Sequence, residues 1–242
     1  MDEIPSTNRY AYDMLSKTTP SEGTCIVTDF QTDGQGQIGR YWFSDRLKNI
    51  TASYIFYPYF LIATSQFELS IMAALAVRKV LERAGIHDAS IKWPNDIYVR
   101  DLKVGGILIQ NQLQGSFIKN TIIGIGINVN QDVFPSKIPN PTSMYLECGH
   151  VFDLNDILQL LHSEIERHYL RLKAGKIHSL RSEYLSQLYR REQWHSYRTP
   201  DGPVFLAKIK DVAPDGTLLM DDINGNERRF SFREIIFEFR GQ

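Results

Sequence analysis

Residues 90–130 read SIKWPNDIYVRDLKVGGILIQNQLQGSFIKNTIIGIGINVN. Four short apolar strands crowd into this stretch, at 90–93, 97–100, 104–110 and 117–127. The turns between them carry Pro94, Asn95, Asp101 and Gly115, residue types that break strands and close turns.

Working outward, 66–84 is apolar almost all round from Leu69 to Val77, which predicts a deeply buried helix that Gly85 stops. Upstream of it, 24–31 and 51–57 read as strands. Tyr10 with Met14 and Ala11 with Leu15 predict a helix over 8–17, with Ser6 or Thr7 as its cap. Downstream, 131–143 holds three prolines and reads as a loop. Ile157, Leu161, Ile165, Tyr169 and Leu172 share one face of a helix over 156–173, capped by Asn155 and followed by Gly175. Another helix runs over 177–189. From Trp194 the period becomes strand-like, with strands at 204–211, 217–222, 227–232 and 235–239. Asp215-Gly216 and Asn224-Gly225 join them, the latter a strong hairpin signal. These strands predict a small β-barrel. The domain expectation is therefore 1–193 and 194–242. No internal repeat is visible.

The chain of 242 residues carries 27 basic and 28 acidic side chains and a net charge of −1. That balance speaks against a general nucleic-acid or membrane-surface role. No apolar run reaches the ~18 residues that a membrane span needs. Met1 is followed by Asp2 and Glu3 rather than a signal peptide, and the two cysteines, Cys25 and Cys148, suit a reducing cytosol. The expectation is a cytoplasmic protein with neither a nucleic-acid nor a membrane partner.

Three features carry chemistry. Gly34-Gln35-Gly36-Gln37-Ile38-Gly39-Arg40 lies between two strands. Its glycines let backbone N–H groups approach an anion, and Arg40 adds a fork of donors. It lacks the Gly-Lys-Ser/Thr of a P-loop, and no helix follows as a dinucleotide fingerprint requires. Read by itself, it is a flexible solvated loop. The second feature is Lys92-Trp93-Pro94-Asn95-Asp96. A plain turn accounts for Pro-Asn-Asp, and Trp93 could be core. Equally, an Asn for base or hydroxyl hydrogen bonds beside an Asp for Mg²⁺ suits a nucleotide site. The third is Lys103, a cation beginning a buried strand with Gly105 and Gly106 beside it. Glycine within a strand often marks close approach of a ligand. The six histidines show no metal-ligand spacing and read as surface or capping residues.

In order along the chain, Ser6-Thr7-Asn8, Gln31-Thr32, the glycine loop, Lys-Trp-Pro-Asn-Asp, Lys-x-Gly-Gly-Ile-Leu and Gly124-Ile125-Gly126-Ile127-Asn128 resemble a biotin protein ligase of the holocarboxylase synthetase family. The resemblance spans essentially the whole chain. It implies an α+β fold, a mixed β-sheet with packed helices like that of class II aminoacyl-tRNA synthetases, plus a small C-terminal SH3-like β-barrel. It also implies an activity: ATP and Mg²⁺ convert biotin to biotinyl-5′-AMP, and the biotinyl group passes to a lysine of a biotin carboxyl carrier domain.

On these residues the resemblance places biotin against Ser6, Thr7, Asn8, Gln31, Gly34, Gly36, Gln37, Lys103, Gly124 and Gly126. It places ATP at Arg40, Trp42, Asn95 and Asn128, Mg²⁺ at Asp96, and catalytic charge at Lys103 and Arg40. Glycines 124 and 126 would let the ligand lie against a strand. The chain reaches Ser6 too soon for a winged helix-turn-helix, so the expectation is a ligase without DNA-binding function. The family loop usually reads Gly-Arg-Gly-Arg-x-Gly-Arg; here Gln35 and Gln37 replace its first two arginines. Two alternatives are a non-catalytic biotin or biotinyl-AMP binder and a lipoate or octanoate transferase relative. A homodimer is possible, with strand 117–127 pairing across a two-fold axis.

Overall fold

The structure is a computed structural model that describes residues 1–37 and 39–239. Helix α1 (Thr7–Lys17) is followed by strands β1 (Cys25–Val27) and β2 (Ile50–Phe56). Helix α2 (Phe67–Arg83) leads into β3 (Ala89–Lys92), β4 (Asp96–Val99), β5 (Leu102–Gln114) and β6 (Phe117–Ile127). These strands form one sheet of order β1-β2-β6-β5-β4-β3. Every strand pair in it is antiparallel, and parallel contacts are isolated bridges such as Ile4 to Gln31 and Lys103 to Pro141.

Strand β6 lies inside this sheet. Residues 121–127 pair with β2 on one edge, and the whole strand pairs with β5 on the other. That corrects the expectation that 117–127 pairs across a two-fold axis, because most of its backbone donors and acceptors are already used.

Helix α3 (Met144–Cys148) was not expected. It is a single capped turn, begun by the Ser143 hydroxyl accepting from Leu146 N and ended by Gly149 at φ 75°. Helices α4 (Leu154–Lys173) and α5 (Ile177–Ser186) follow and pack on α2. Asp153, not Asn155, caps α4, accepting from the backbone N–H groups of Asn155 and Asp156. Helix α2 reads as apolar all round because it is enclosed, touching α4 and α5 as well as β3, β4 and β5. Its buried Glu68 is held by Arg181 at 2.7 Å; burial raises this carboxyl's pKa, and the guanidinium opposes the rise. Helix α1 lies over β2 and β6.

Two histidines depart from the surface or capping reading. His168 is fully buried with Nδ1 2.8 Å from Glu164 O, and His162 Nδ1 lies 2.8 Å from Tyr54 Oη.

The C-terminal strands are β7 (His195–Arg198), β8 (Val204–Val212), β9 (Leu218–Asp222), β10 (Glu227–Phe230) and β11 (Ile236–Phe237). They form a five-stranded antiparallel sheet of order β10-β9-β8-β7-β11. The Asn224-Gly225 turn forms as expected, with Asp222 Oδ1 accepting from Asn224 N and Asn226 N. Trp93 joins the two sheets: its Nε1 donates to Gly216 O at 2.9 Å, and its ring meets Phe232 edge-on. Among the described residues, no helix is long and apolar enough to cross a membrane.

Candidate active site

The strand register aligns Lys92, Asp96, Gly106, Gly126 and Thr51 in one row across the sheet. Directly opposed residues in a pleated sheet share a face. A second row on that face holds Ser53, Gly124 and Leu108. Helix α1 covers the β2 end of this face. The remainder is the floor of a cleft of about 950 Å³, with the glycine loop and residues of the C-terminal sheet among its walls.

At the α1 end the groups are neutral. Gln31 Oε1 accepts from Thr7 N at 2.9 Å and from Thr7 Oγ1 at 3.2 Å. Ser53 Oγ lies 2.7 Å from Thr7 Oγ1 and 2.6 Å from Asn8 Oδ1, and Asn8 Nδ2 donates to Gln110 Oε1 at 3.0 Å. Ser6 opens α1, but its side chain makes no capping hydrogen bond, contrary to the cap expected of it. Its buried hydroxyl belongs to the cleft wall instead.

The middle of the floor is bare. Glycines at 106, 124 and 126 make it so, but their immediate neighbours are the chain's own side chains. A Cβ on Gly124 would collide with the Asn8 amide, and one on Gly126 with the Trp42 indole. Both glycines line the cleft, and the space a side chain would take at each is filled from within the chain. They seat Asn8 and Trp42, which in turn line the cleft.

At the far end the groups are charged. A β-bulge sets this up: Ile97 opposes Gly105, but Tyr98 opposes Lys103. The extra residue, Val104, turns Lys103 onto the face of Asp96, where its Nζ lies 2.6 Å from Asp96 Oδ1. Lys103 is also held by the proline loop, donating its N–H to Asn140 O at 2.7 Å and accepting from Thr142 N at 2.8 Å. Lys92 Nζ sits 4.5 Å from the Phe237 ring centre and 5.3 Å from that of Tyr98. Burial pushes its ammonium down to about 8; Asp96 opposes that shift, and Lys103, Arg190 and Arg40 add to it.

The described residues of the glycine loop are tied across it by backbone hydrogen bonds, while Gln35, Gly39 and Arg40 are exposed. Trp42 N donates to Gly34 O at 2.8 Å, and Gly36 N donates to Arg40 O at 3.0 Å. Gln35 is bridged to Tyr41, and Ile38 lies outside the described residues. Beyond Trp42 the chain is pinned by buried Gln131, whose Nε2 donates to Asp45 Oδ2 at 2.6 Å and whose Oε1 accepts from Asn49 at 2.8 Å.

Gly36, Gln37, Arg40 and Trp42 line the main cleft, and Gly34 lines a neighbouring cavity of about 980 Å³ that shares the loop as a wall. Asn95 and Asn128 also line the main cleft, but both amide nitrogens have backbone partners, Ile107 O at 2.6 Å and Thr142 O at 2.9 Å. Among the described residues lining this cleft, two buried polar atoms have no partner, Trp42 Nε1 and Asn128 Oδ1. Orphaned polar atoms in a cleft are places for ligand or water.

The cleft thus gathers all the expected site residues except Gly34. Sequence reading missed Ser53, Asn140, Gln131 and the C-terminal Phe237. Only Ser53 had a local signal: Thr51 and Ser53 alternate with Ala52 and Tyr54, marking a polar face on an otherwise apolar strand.

The chain is similar in sequence and fold to known proteins. The chain is 31% identical over 245 residues to the bifunctional ligase/repressor BirA of Bacillus spizizenii, covering 95% of this chain and 71% of that protein. It is 30% identical to the biotin–[acetyl-CoA-carboxylase] ligase of Paracoccus denitrificans, over 68% of this chain and 70% of that one. The solved biotin protein ligase of Aquifex aeolicus, in complex with biotin and ATP, superposes with a TM-score of 0.80 at 25% identity, covering 98% of this chain and 97% of that one. The model of the biotin/lipoate A/B protein ligase family matches residues 1–128. That span holds the glycine loop, the Lys92–Asp96 motif and the Lys103 strand, and by this match the chain belongs to the biotin/lipoate A/B protein ligase family.

Proposed function

We propose that the cleft activates biotin with ATP and transfers the biotinyl group to a lysine of a carboxyl carrier domain. The observation that carries this reading is the gradient along the floor, from neutral hydrogen-bonding groups at Thr7, Asn8 and Gln31, across the Trp42 indole seated on Gly126, to Lys103, Asp96 and Lys92. It fits a ligand with a neutral polar ring, an apolar chain and a carboxylate that must meet a phosphate. The relatives, among them the Aquifex aeolicus ligase in complex with biotin and ATP, support the same reading.

In this reading Ser6, Thr7, Asn8 and Gln31 hydrogen-bond the ureido ring, and the loop from Gly34 to Arg40 covers biotin. Asn95, Asn128 and Trp42 hold the nucleotide. A biotin carboxylate oxygen attacks the α-phosphorus of ATP, the P–O bond to the leaving group breaks, and pyrophosphate departs with the electron pair. Lys103 and Arg40 offset the charge that brings the two anions together. The mixed anhydride reacts with water, so a covering loop is chemically useful. The amine that then attacks its carbonyl comes from the partner, and the chain's own side chains need supply no nucleophile.

Asp96 is the only carboxylate among the described residues lining the cleft, and no three metal-ligating side chains converge there. One carboxylate beside substrate phosphates suits Mg²⁺ delivered with the nucleotide. Held by Asp96, it would neutralise phosphate charge.

We assign the chemistry to 1–193 and read 194–242 as a second unit that walls the charged end through Phe237 and Phe239. A cytoplasmic setting accords with two free cysteines.

The test is pyrophosphate release with biotin and ATP, together with mass spectrometry of a carrier domain. One added biotinyl group per carrier is expected. Lipoate outcompeting biotin, or binding of biotin without ATP turnover, would replace the reading with a lipoate transferase or a non-catalytic binder.

A further inference from the structure

Lys92 stands at the charged end of the floor, but the preceding reading gives its ammonium no contact with either substrate. It closes the cross-sheet row beyond Asp96, farthest from the neutral groups around Thr7 and Gln31. Its only neighbouring carboxylate in the row, Asp96, is already bound by Lys103 at 2.6 Å. Among the described residues Lys92 has no ion pair; its ammonium rests on the faces of Phe237 and Tyr98. Ring faces hold a cation while it is partly stripped of water, at less energy than a carboxylate would give. Lys103 and Arg40 line the same cleft and act on Lys92 with the same sign of charge, against Asp96, the only carboxylate among the described residues lining it. A cleft end with this excess of positive charge is built for an anion larger than one carboxylate.

We propose that Lys92 binds the β- and γ-phosphates of the nucleotide and the pyrophosphate that leaves. This rests on the ATP-dependent reading above and deepens it. When the carboxylate oxygen bonds to the α-phosphorus, the bond to the bridging oxygen breaks and its electron pair stays on pyrophosphate. Lys103 serves the phosphorus under attack; Lys92 offsets the charge that collects on the leaving group. Phe237 makes the C-terminal sheet part of this subsite, because it carries one of the two rings that hold the ammonium in place.

The experiment compares the full-length chain with Lys92→Met and Lys92→Arg. Calorimetry with inorganic pyrophosphate as the probe should show binding weakened about tenfold or more in Lys92→Met, the size of a lost charge-assisted contact, and largely kept in Lys92→Arg. The KM for ATP in adenylate formation should rise by a similar factor. Transfer of biotin from preformed biotinyl-5′-AMP, which carries no pyrophosphate, should change far less. Equal pyrophosphate binding in the parent and Lys92→Met overturns the proposal. So does an equal loss in both half-reactions, which would place Lys92 at the adenylate or in the fold. Failure of the parent to turn over biotin and ATP would sink the proposed function instead, while the pyrophosphate titration still decides the role of Lys92.

Discussion

Trp42 occupies the space that Gly126 leaves by having no side chain: a Cβ at Gly126 would press into the indole, and one at Gly106 would come 3.3 Å from its Cζ3. The two strands therefore pack against a ring of the loop that crosses them, and the loop's placement depends on their glycines. Gly126→Ala should push Trp42 out of its seat. Overpacking of this kind costs about 1–3 kcal/mol, so the thermal midpoint should fall by several degrees while the protein still folds. Adenylate formation should fall much further than stability does. Turnover equal to the parent's would show that Trp42 can shift without harm to the cleft.

Lys103→Ala removes the cation that the β-bulge aims into the cleft. The Lys103–Asp96 pair is partly exposed, so its loss should cost the fold no more than about 1 kcal/mol. Loss of a group that stabilises charge in the transition state costs about 3–4 kcal/mol. Adenylation measured by pyrophosphate release should drop by two to three orders of magnitude at nearly unchanged melting temperature. Near-parental rates in the purified variant would remove Lys103 from the chemistry.

These two residues show what was legible in the sequence. Glycines at 105, 106, 124 and 126 flagged close approach, and the structure agrees that space is needed there. Whose atoms fill it was not legible, because Trp42 reaches Gly126 from a loop that is far away in sequence. Lys103 was legible as a cation at a strand start, but its direction comes from the bulge at Val104, which leaves no mark in composition. Helix α2 was read to within one residue at each end because its apolar run is long. Helix α3 and strand β7 were missed because they are too short to show a period. Strand β1 is shorter than the expected 24–31, ending at Val27. Just beyond it, Thr28 still donates its N–H to Thr51 O at 3.4 Å, but its hydroxyl donates to Phe30 O at 3.0 Å, where the chain turns away.

The Lys92 ammonium bears a cost that pH should reveal. Its value in the fold is about 8 against an ordinary 10.5, chiefly through burial. Between those values the unfolded chain binds more protons than the folded one, so this group's contribution to stability rises with pH across that window. Below about pH 8 the penalty is fully present. Lys92→Met should therefore melt a few degrees above the parent at pH 7, and the gap should narrow as pH rises toward 10. A gap that is absent, or constant with pH, would show that Lys92 is charged in the fold without penalty.

Gln35 and Gln37 set how firmly the loop holds a negatively charged intermediate. Both line the cleft beside Arg40. Each neutral amide keeps hydrogen-bonding capacity but gives up the charge of the arginine usual at that position. A charge-assisted hydrogen bond is worth roughly 1.5–3 kcal/mol, so the adenylate should be held less tightly here than by an arginine-bearing loop. Released biotinyl-AMP acylates exposed lysines of any nearby protein. Biotinylation of serum albumin in the reaction mixture, with and without a carrier domain, measures that release. Gln35→Arg and Gln37→Arg should each lower the albumin signal and lengthen retention of the intermediate, with little change in melting temperature, because Gln35 is exposed and Gln37 half-buried. If both variants release as much as the parent, or the parent releases none, the adenylate is held by groups on the floor of the cleft rather than by the loop.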